Sequence, residues 1–183
     1  QVTFIGQRFF AKYLNHASTK VQVHNIDGSI EHVIKLPGIG TASGFNGKRN
    51  DSETYYSFSN FNTPPSIWRY DIQSKKESLI KESNISINLD NYETNRVFVN
   101  SKDNTKIPIF ITHKKDIKLD GTNPTLLYGY GGFGISLTPY FSITRATWLE
   151  MGGIYVHACL RGGGEYGESW HKDGTKLKKQ NVF

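Results

Sequence analysis

Thr125-Leu-Leu-Tyr-Gly-Tyr-Gly-Gly-Phe133 joins a short apolar, β-favouring run to three glycines set among aromatic rings. The stretch reads as a buried strand that ends in a functional loop. Glycine reaches backbone conformations closed to other residues, so Gly129, Gly131 and Gly132 suit a sharp turn at the end of a strand. Tyr130 places a phenolic O–H at the tip. In a water-poor site that O–H can donate to a developing oxyanion; the plainer reading is a ring packed over the turn.

Downstream, Ile143 to Met151 reads as a helix with Ala146, Trp148 and Leu149 on one face, and Gly152-Gly153 ends it. Ile154 to Leu160 is a nearly continuous apolar run, as expected of a strand covered on both faces. Strand, glycine loop, helix, strand and a second glycine loop, Arg161 to Gly167, make a βαβ unit with both loops at one sheet edge. Arg161 and Glu165 are the charged residues of the second loop. They can shape a site there, or pair with one another or with another domain. Upstream, Val97 to Asn100 and Ile107 to His113 read as strands joined by a turn at Asp103-Asn104.

Two chemistries compete for the first loop. Gly129-x-Gly131-x-x-Gly134 satisfies the dinucleotide pattern G-x-G-x-x-G after a strand. That fold needs a helix N-terminus at the glycines, whereas Ile135-Ser-Leu-Thr-Pro139 is β-branched and contains proline. Tyr130 and Phe133 also crowd a phosphate, and no acidic residue closes the strand at Leu160. An α/β-hydrolase accounts for more, because its third strand leads into a loop that contributes to the oxyanion hole. No G-x-S-x-G occurs; Gly134-Ile-Ser-Leu-Thr138 and Gly167-Glu-Ser-Trp-His171 lack the second glycine. His171 lies in a polar stretch with Lys172 and Asp173, and is set aside as a general base.

Tyr128-Gly-Tyr-Gly-Gly-Phe133 and Arg161-Gly-Gly-Gly-Glu-Tyr-Gly-Glu-Ser-Trp-His171 together resemble the prolyl oligopeptidase family of serine peptidases. The resemblance runs from Ser101-Lys-Asp-Asn-Thr-Lys-Ile-Pro108 to Lys179-Gln-Asn-Val-Phe183, in the same order and at similar spacing. It implies an antiparallel β-propeller over residues 1–92 and the start of an α/β-hydrolase domain over 93–183. It also implies hydrolysis of short peptides on the carboxyl side of proline by a Ser/His/Asp triad, none of which is in this sequence. By the same resemblance Tyr130 donates to the oxyanion, Phe133 lines the pocket for the proline ring, and Gly129, Gly131 and Gly132 support both. No cofactor and no metal are implied. The alternative is a non-catalytic propeller and hydrolase-like protein that binds peptides or protein partners.

The first half suits the propeller. Arg8 to Leu14, Lys20 to Ile26, Ile30 to Leu36, Thr54 to Phe61 and Ser66 to Ile72 are short β-rich runs, with Asp27-Gly28 as a hairpin turn and Thr63-Pro64-Pro65 and Gln73 to Lys76 as breaks. About two four-stranded blades fit this length. His16, His24 and His32 recur at a fixed spacing but fall on different strands with no carboxylate or cysteine at ligand spacing, so they do not read as a metal site.

Composition excludes other classes. The 183 residues are 37% hydrophobic and 13% aromatic with a net charge of +6, values of an ordinary globular protein. The charge sits in scattered pairs, Lys75-Lys76, Lys114-Lys115 and Lys178-Lys179, so nucleic-acid binding is not expected. The single cysteine, Cys159, allows no internal disulfide. Asn84-Ile-Ser86 matches a glycosylation sequon by a pattern common by chance. No run is long enough to span a membrane and no signal peptide opens the sequence, so a cytoplasmic location is expected unless a segment outside this sequence carries a signal. A monomer is expected. Gln1 at the start and a nascent helix at Phe183 suggest a segment of a longer polypeptide, whose remainder would be its partner.

Overall fold

The computed structural model describes residues 1–183, which form two compact units. The first comprises Gln1–Ile85 with Pro139–Phe141, and the second Ser86–Thr138 with Ser142–Phe183. Residues 86–92, read above with the propeller, pack with the second unit: Tyr92 pairs with Lys114, and Lys115 N donates to Asn91 O at 2.9 Å.

The first unit holds two four-stranded antiparallel sheets in sequential order. One is β1 (Val2–Ile5), β2 (Arg8–Asn15), β3 (Ser18–His24) and β4 (Ile30–Val33); the other is β5 (Thr41–Asn46), β6 (Glu53–Ser59), β7 (Ser66–Asp71) and β8 (Lys76–Glu82). Side chains alternate across a strand, and β6 shows the result: Thr54, Tyr56 and Phe58 are buried while Tyr55 and Ser57 are exposed. Phe10, Val21 and Val23 from one sheet meet Phe45, Tyr56, Phe58 and Tyr70 from the other in one core, with the Phe45 and Tyr56 rings stacked at 4.6 Å. Each such ring contributes about 1.5–3 kcal/mol by leaving water. The turn at Asp27-Gly28 is closed by Asp27 Oδ1, which accepts from Ser29 N at 2.9 Å. Strands β1, β5 and β8 carry weak signals. Thr41-Ala-Ser-Gly-Phe-Asn46 is interrupted by glycine, and Lys76-Glu-Ser-Leu-Ile-Lys-Glu82 is charged at both ends. His32 Nε2 lies 2.6 Å from Tyr70 Oη, and His24 Nδ1 lies 3.0 Å from Gly28 O.

The second unit is a mixed sheet of β9 (Tyr92–Asn100), β10 (Lys106–Lys114), β11 (Thr125–Gly129) and β12 (Ile154–Ala158), in the order β11-β12-β10-β9. A tight turn joins β9 to β10, so that pair is antiparallel, as is β10 with β12; β11 and β12 are parallel, with α1 (Ile143–Glu150) between them in sequence. The βαβ expectation therefore holds for β11 and β12 alone. Helix α1 packs Ala146 and Leu149 toward the sheet. Reading Thr125–Gly129 as buried needs correction. Every residue of β11, the edge strand of this four-stranded sheet, is exposed in this chain, Leu127 at 66%. β12 is the inner strand, and four of its five residues are buried. A short helix α2 (Glu168–Lys172) and a 3-10 segment, Lys176–Val182, complete the unit. No helix is long and apolar enough to cross a membrane.

Candidate functional site

Parallel pairing of β11 with β12 ends at Gly129 and Ala158, so the loops after both strands emerge at the same edge. In the first loop Ile135 N donates to Gly132 O at 3.1 Å across Phe133 and Gly134, whose φ values are +54° and +65°. Two left-handed corners are the pattern of a type I′ turn. Glycine accepts that conformation freely, but a phenylalanine in it costs about 1–2 kcal/mol. Backbone strain of this kind persists where the surroundings over-determine it, and it concentrates at functional sites. The turn holds the Phe133 side chain 85% exposed. Tyr130 is 43% exposed, and its ring centroid lies 6.5 Å from that of Phe133, so the phenol and the bare ring share one surface. Gly131, at φ +59°, carries the chain between them, and its carbonyl accepts from Lys179 Nζ at 3.1 Å.

The second loop braces the first. Gly162 O accepts from Gly134 N at 3.0 Å, and Leu137 N donates to Glu165 Oε1 at 2.8 Å. His171 Nδ1 also bonds Gly162 O, at 2.8 Å, so that nitrogen carries the proton and the imidazole is engaged in holding the loop. Gly162 N in turn donates to Trp170 O at 2.9 Å, and Trp170 Nε1 to Leu160 O at 3.0 Å.

Arg161 and Glu165 do not pair with each other. The Arg161 guanidinium, 4% exposed, is bonded to Asp103 in the β9–β10 turn and to Ser101 Oγ at 2.9 Å. The Arg161 hydrogen bond, with help from Thr105, holds the Asp103 carboxyl down at about 2. Glu165 is buried apart from any cation, and burial pushes its carboxyl up. Burial likewise pushes the Cys159 thiol up to about 12.

Among the residues singled out from sequence, Tyr130 and Phe133 come together on one loop, which Gly129, Gly131 and Gly132 help to form. Sequence reasoning missed Lys179, Asp103 and the left-handed state of Phe133. Gly134 next to Phe133 was the available signal for that last feature. An apolar hollow of about 330 Å³ lies beside the loops, lined by Val99, Ile109, Leu127, Leu160 and Val182 among others. A larger one, about 480 Å³, lies in the first unit, remote in sequence from these residues; there Arg8 and Lys75 are both engaged by Glu31.

Residues 1–83 match the family description "Prolyl oligopeptidase, N-terminal beta-propeller domain", and residues 139–183 match "Prolyl oligopeptidase family". A prolyl endopeptidase of Elizabethkingia meningoseptica is 47% identical over 178 residues, 97% of this chain and 25% of that protein. A prolyl endopeptidase of Dictyostelium discoideum is 39% identical over 181 residues, 97% of this chain and 24% of that protein. A structure from a study of two prolyl endopeptidases superposes on the whole chain with a TM-score of 0.88 at 41% identity, and the match covers 27% of that structure's chain. Prolyl oligopeptidase B of Galerina marginata without ligand gives 0.89 at 34% identity, again over 100% of this chain and 27% of the other. The chain thus spans about a quarter of the length of these relatives.

Proposed function

The chain belongs to the prolyl oligopeptidase family, and on that premise we propose that the protein containing it is a serine endopeptidase cutting short peptides on the carboxyl side of proline. The observation that carries this reading is the left-handed turn at the end of β11, which presents Tyr130 and Phe133 together. When a serine oxygen attacks the peptide carbonyl, negative charge develops on the carbonyl oxygen. The Tyr130 O–H is the donor for that charge, and a bound peptide covering the half-exposed phenol strengthens the bond by excluding water. Phe133 offers an uncovered apolar face, and seating the proline ring on it removes both surfaces from water. A histidine supplied by the rest of the polypeptide takes the serine proton and returns it to the leaving amine.

The reading extends to a monomer in a reducing, cytoplasmic setting, in keeping with the free, buried Cys159. The test is Tyr130→Phe in the full-length protein, assayed on a fluorogenic peptide with proline before the scissile bond. Loss of one oxyanion donor should cost about 2–4 kcal/mol of transition-state stabilisation, roughly 30- to 1000-fold in kcat/KM. Unchanged turnover removes Tyr130 from the oxyanion site. The 183-residue chain alone is the negative control and should not cleave the peptide.

A further inference from the structure

Residues 134–137 run beside residues 162–165 and are joined to them at two points. The first is a main-chain bond, Gly134 N to Gly162 O at 3.0 Å; the second is made by a side chain, with Leu137 N donating to Glu165 Oε1 at 2.8 Å. Between the two the backbones lie flush, since a Cβ added at Gly164 would meet the Gly134 carbonyl, standing 3.1 Å from Gly134 C. The Glu165 side chain thus takes the place of a main-chain carbonyl and fixes the segment that leaves the Phe133 turn.

A carboxylate is a costly choice for that task. Glu165 is 5% exposed, and its second oxygen, Oε2, is enclosed without a hydrogen-bond partner. Removing a charge from water without a counter-charge is unfavourable, so packing alone gives no reason for an acid here. What the Glu165 side chain supplies is reach: its Oε1 extends from the second loop to accept from the Leu137 N–H.

We propose that Glu165 is a positioning residue for substrate selection: by holding Leu137 it keeps the Phe133 turn in the left-handed form that receives the proline ring. The inference rests on the peptidase reading above. Glu165 touches no substrate and acts through the backbone from Leu137 to Phe133.

The readout is the ratio of kcat/KM for a peptide with proline before the scissile bond to that for the same peptide with alanine there, measured on the full-length enzyme. General damage to the fold lowers both values together, whereas a displaced Phe133 turn lowers the proline value selectively. Glu165→Ala should reduce the ratio about tenfold or more, the scale on which small displacements in a site are felt. Glu165→Gln keeps an acceptor oxygen at the same reach and should retain the ratio to within about threefold. Glu165→Asp keeps the charge but falls one methylene short, and should behave like the alanine variant. If Glu165→Ala does not fold, the glutamine and aspartate variants decide. A ratio unchanged in Glu165→Asp, or one lost equally in Glu165→Gln and Glu165→Asp, overturns the inference. So do equal losses on both peptides. Wild-type enzyme inactive on the proline peptide defeats the peptidase reading itself and the inference with it, whereas active wild type with an unaltered ratio in every variant defeats the inference alone.

Discussion

Replacing Gly162 by alanine sets two costs against a matched control. Gly162 has φ +90°, and an added Cβ would stand 2.5 Å from Gly131 O, 3.0 Å from Gly131 C and 3.2 Å from Gly174 O. The left-handed backbone costs an L-residue about 1–2 kcal/mol. Forcing a methyl group into close-packed surroundings adds about 1–3 kcal/mol, and the atoms in the way are main chain, which cannot rotate aside as a side chain can. Together these give about 2–5 kcal/mol. Gly121 has nearly the same φ, +87°, with nothing within 4 Å of its added Cβ, so Gly121→Ala carries only the first cost. The strain at Gly162 can be relieved by partial unfolding or by pushing Gly131 away, and the second route displaces the neighbouring Tyr130. Two assays are therefore needed on the full-length protein: the guanidinium unfolding midpoint and turnover of a proline peptide. Gly162→Ala should fall below Gly121→Ala in at least one of them. Equality of the two variants in both would refute the argument that the loops meet backbone to backbone.

The Arg161–Asp103 pair makes an acid-dependent prediction. Because the folded carboxyl is held at about 2, below its ordinary 3.8, the contribution of the pair is complete above the ordinary value and disappears as pH falls through about 2. Asp103→Asn should melt lower than wild type at neutral pH, with the two melting curves converging near that acid limit; a gap that does not narrow there would show that the pair is not the cause. Cys159 should resist alkylation in the native protein at mildly alkaline pH, since burial holds its thiol up at about 12, and should label only after denaturation. Labelling at the rate of a free thiol, read by mass spectrometry of the peptide containing Cys159, would contradict its enclosure.

Local chemistry was legible where a few neighbouring residues decide the structure. The short β-rich runs, Thr54 to Phe61 among them, and the Asp27-Gly28 turn announced antiparallel strands, and Ile154–Ala158 announced an inner strand. Thr125–Gly129 has the apolar composition of a buried strand, yet in a chain spanning about a quarter of its relatives' length it stands exposed at the edge of the sheet. The blades' weaker strands escaped notice because their main-chain pairing comes from neighbours already in place, with little help from their own side chains. Arg161 and Glu165 were visible as charged residues in a loop, but their partners were not. Asp103 is 58 residues from Arg161 and Leu137 is 28 from Glu165, separations over which no local pattern operates. Phe133 was marked by the family resemblance, whereas its backbone state follows from the turn that Gly132 and Ile135 close around it.

The order β11-β12-β10-β9 bears on how the chain emerges from the ribosome. The β9–β10 hairpin can close as soon as Lys114 is clear, but β11, made next, must leave the edge of β10 empty for a strand not yet synthesised. At about 5–20 residues per second, the interval between the end of β11 at Gly129 and the start of β12 at Ile154 lasts roughly one to five seconds. Throughout it Leu126, Leu127 and Tyr128 have no strand to join, and β10 offers an open edge to any other chain nearby. The same parallel pairing that later brings the two glycine loops together thus makes the nascent protein a candidate for chaperone capture at this point of translation.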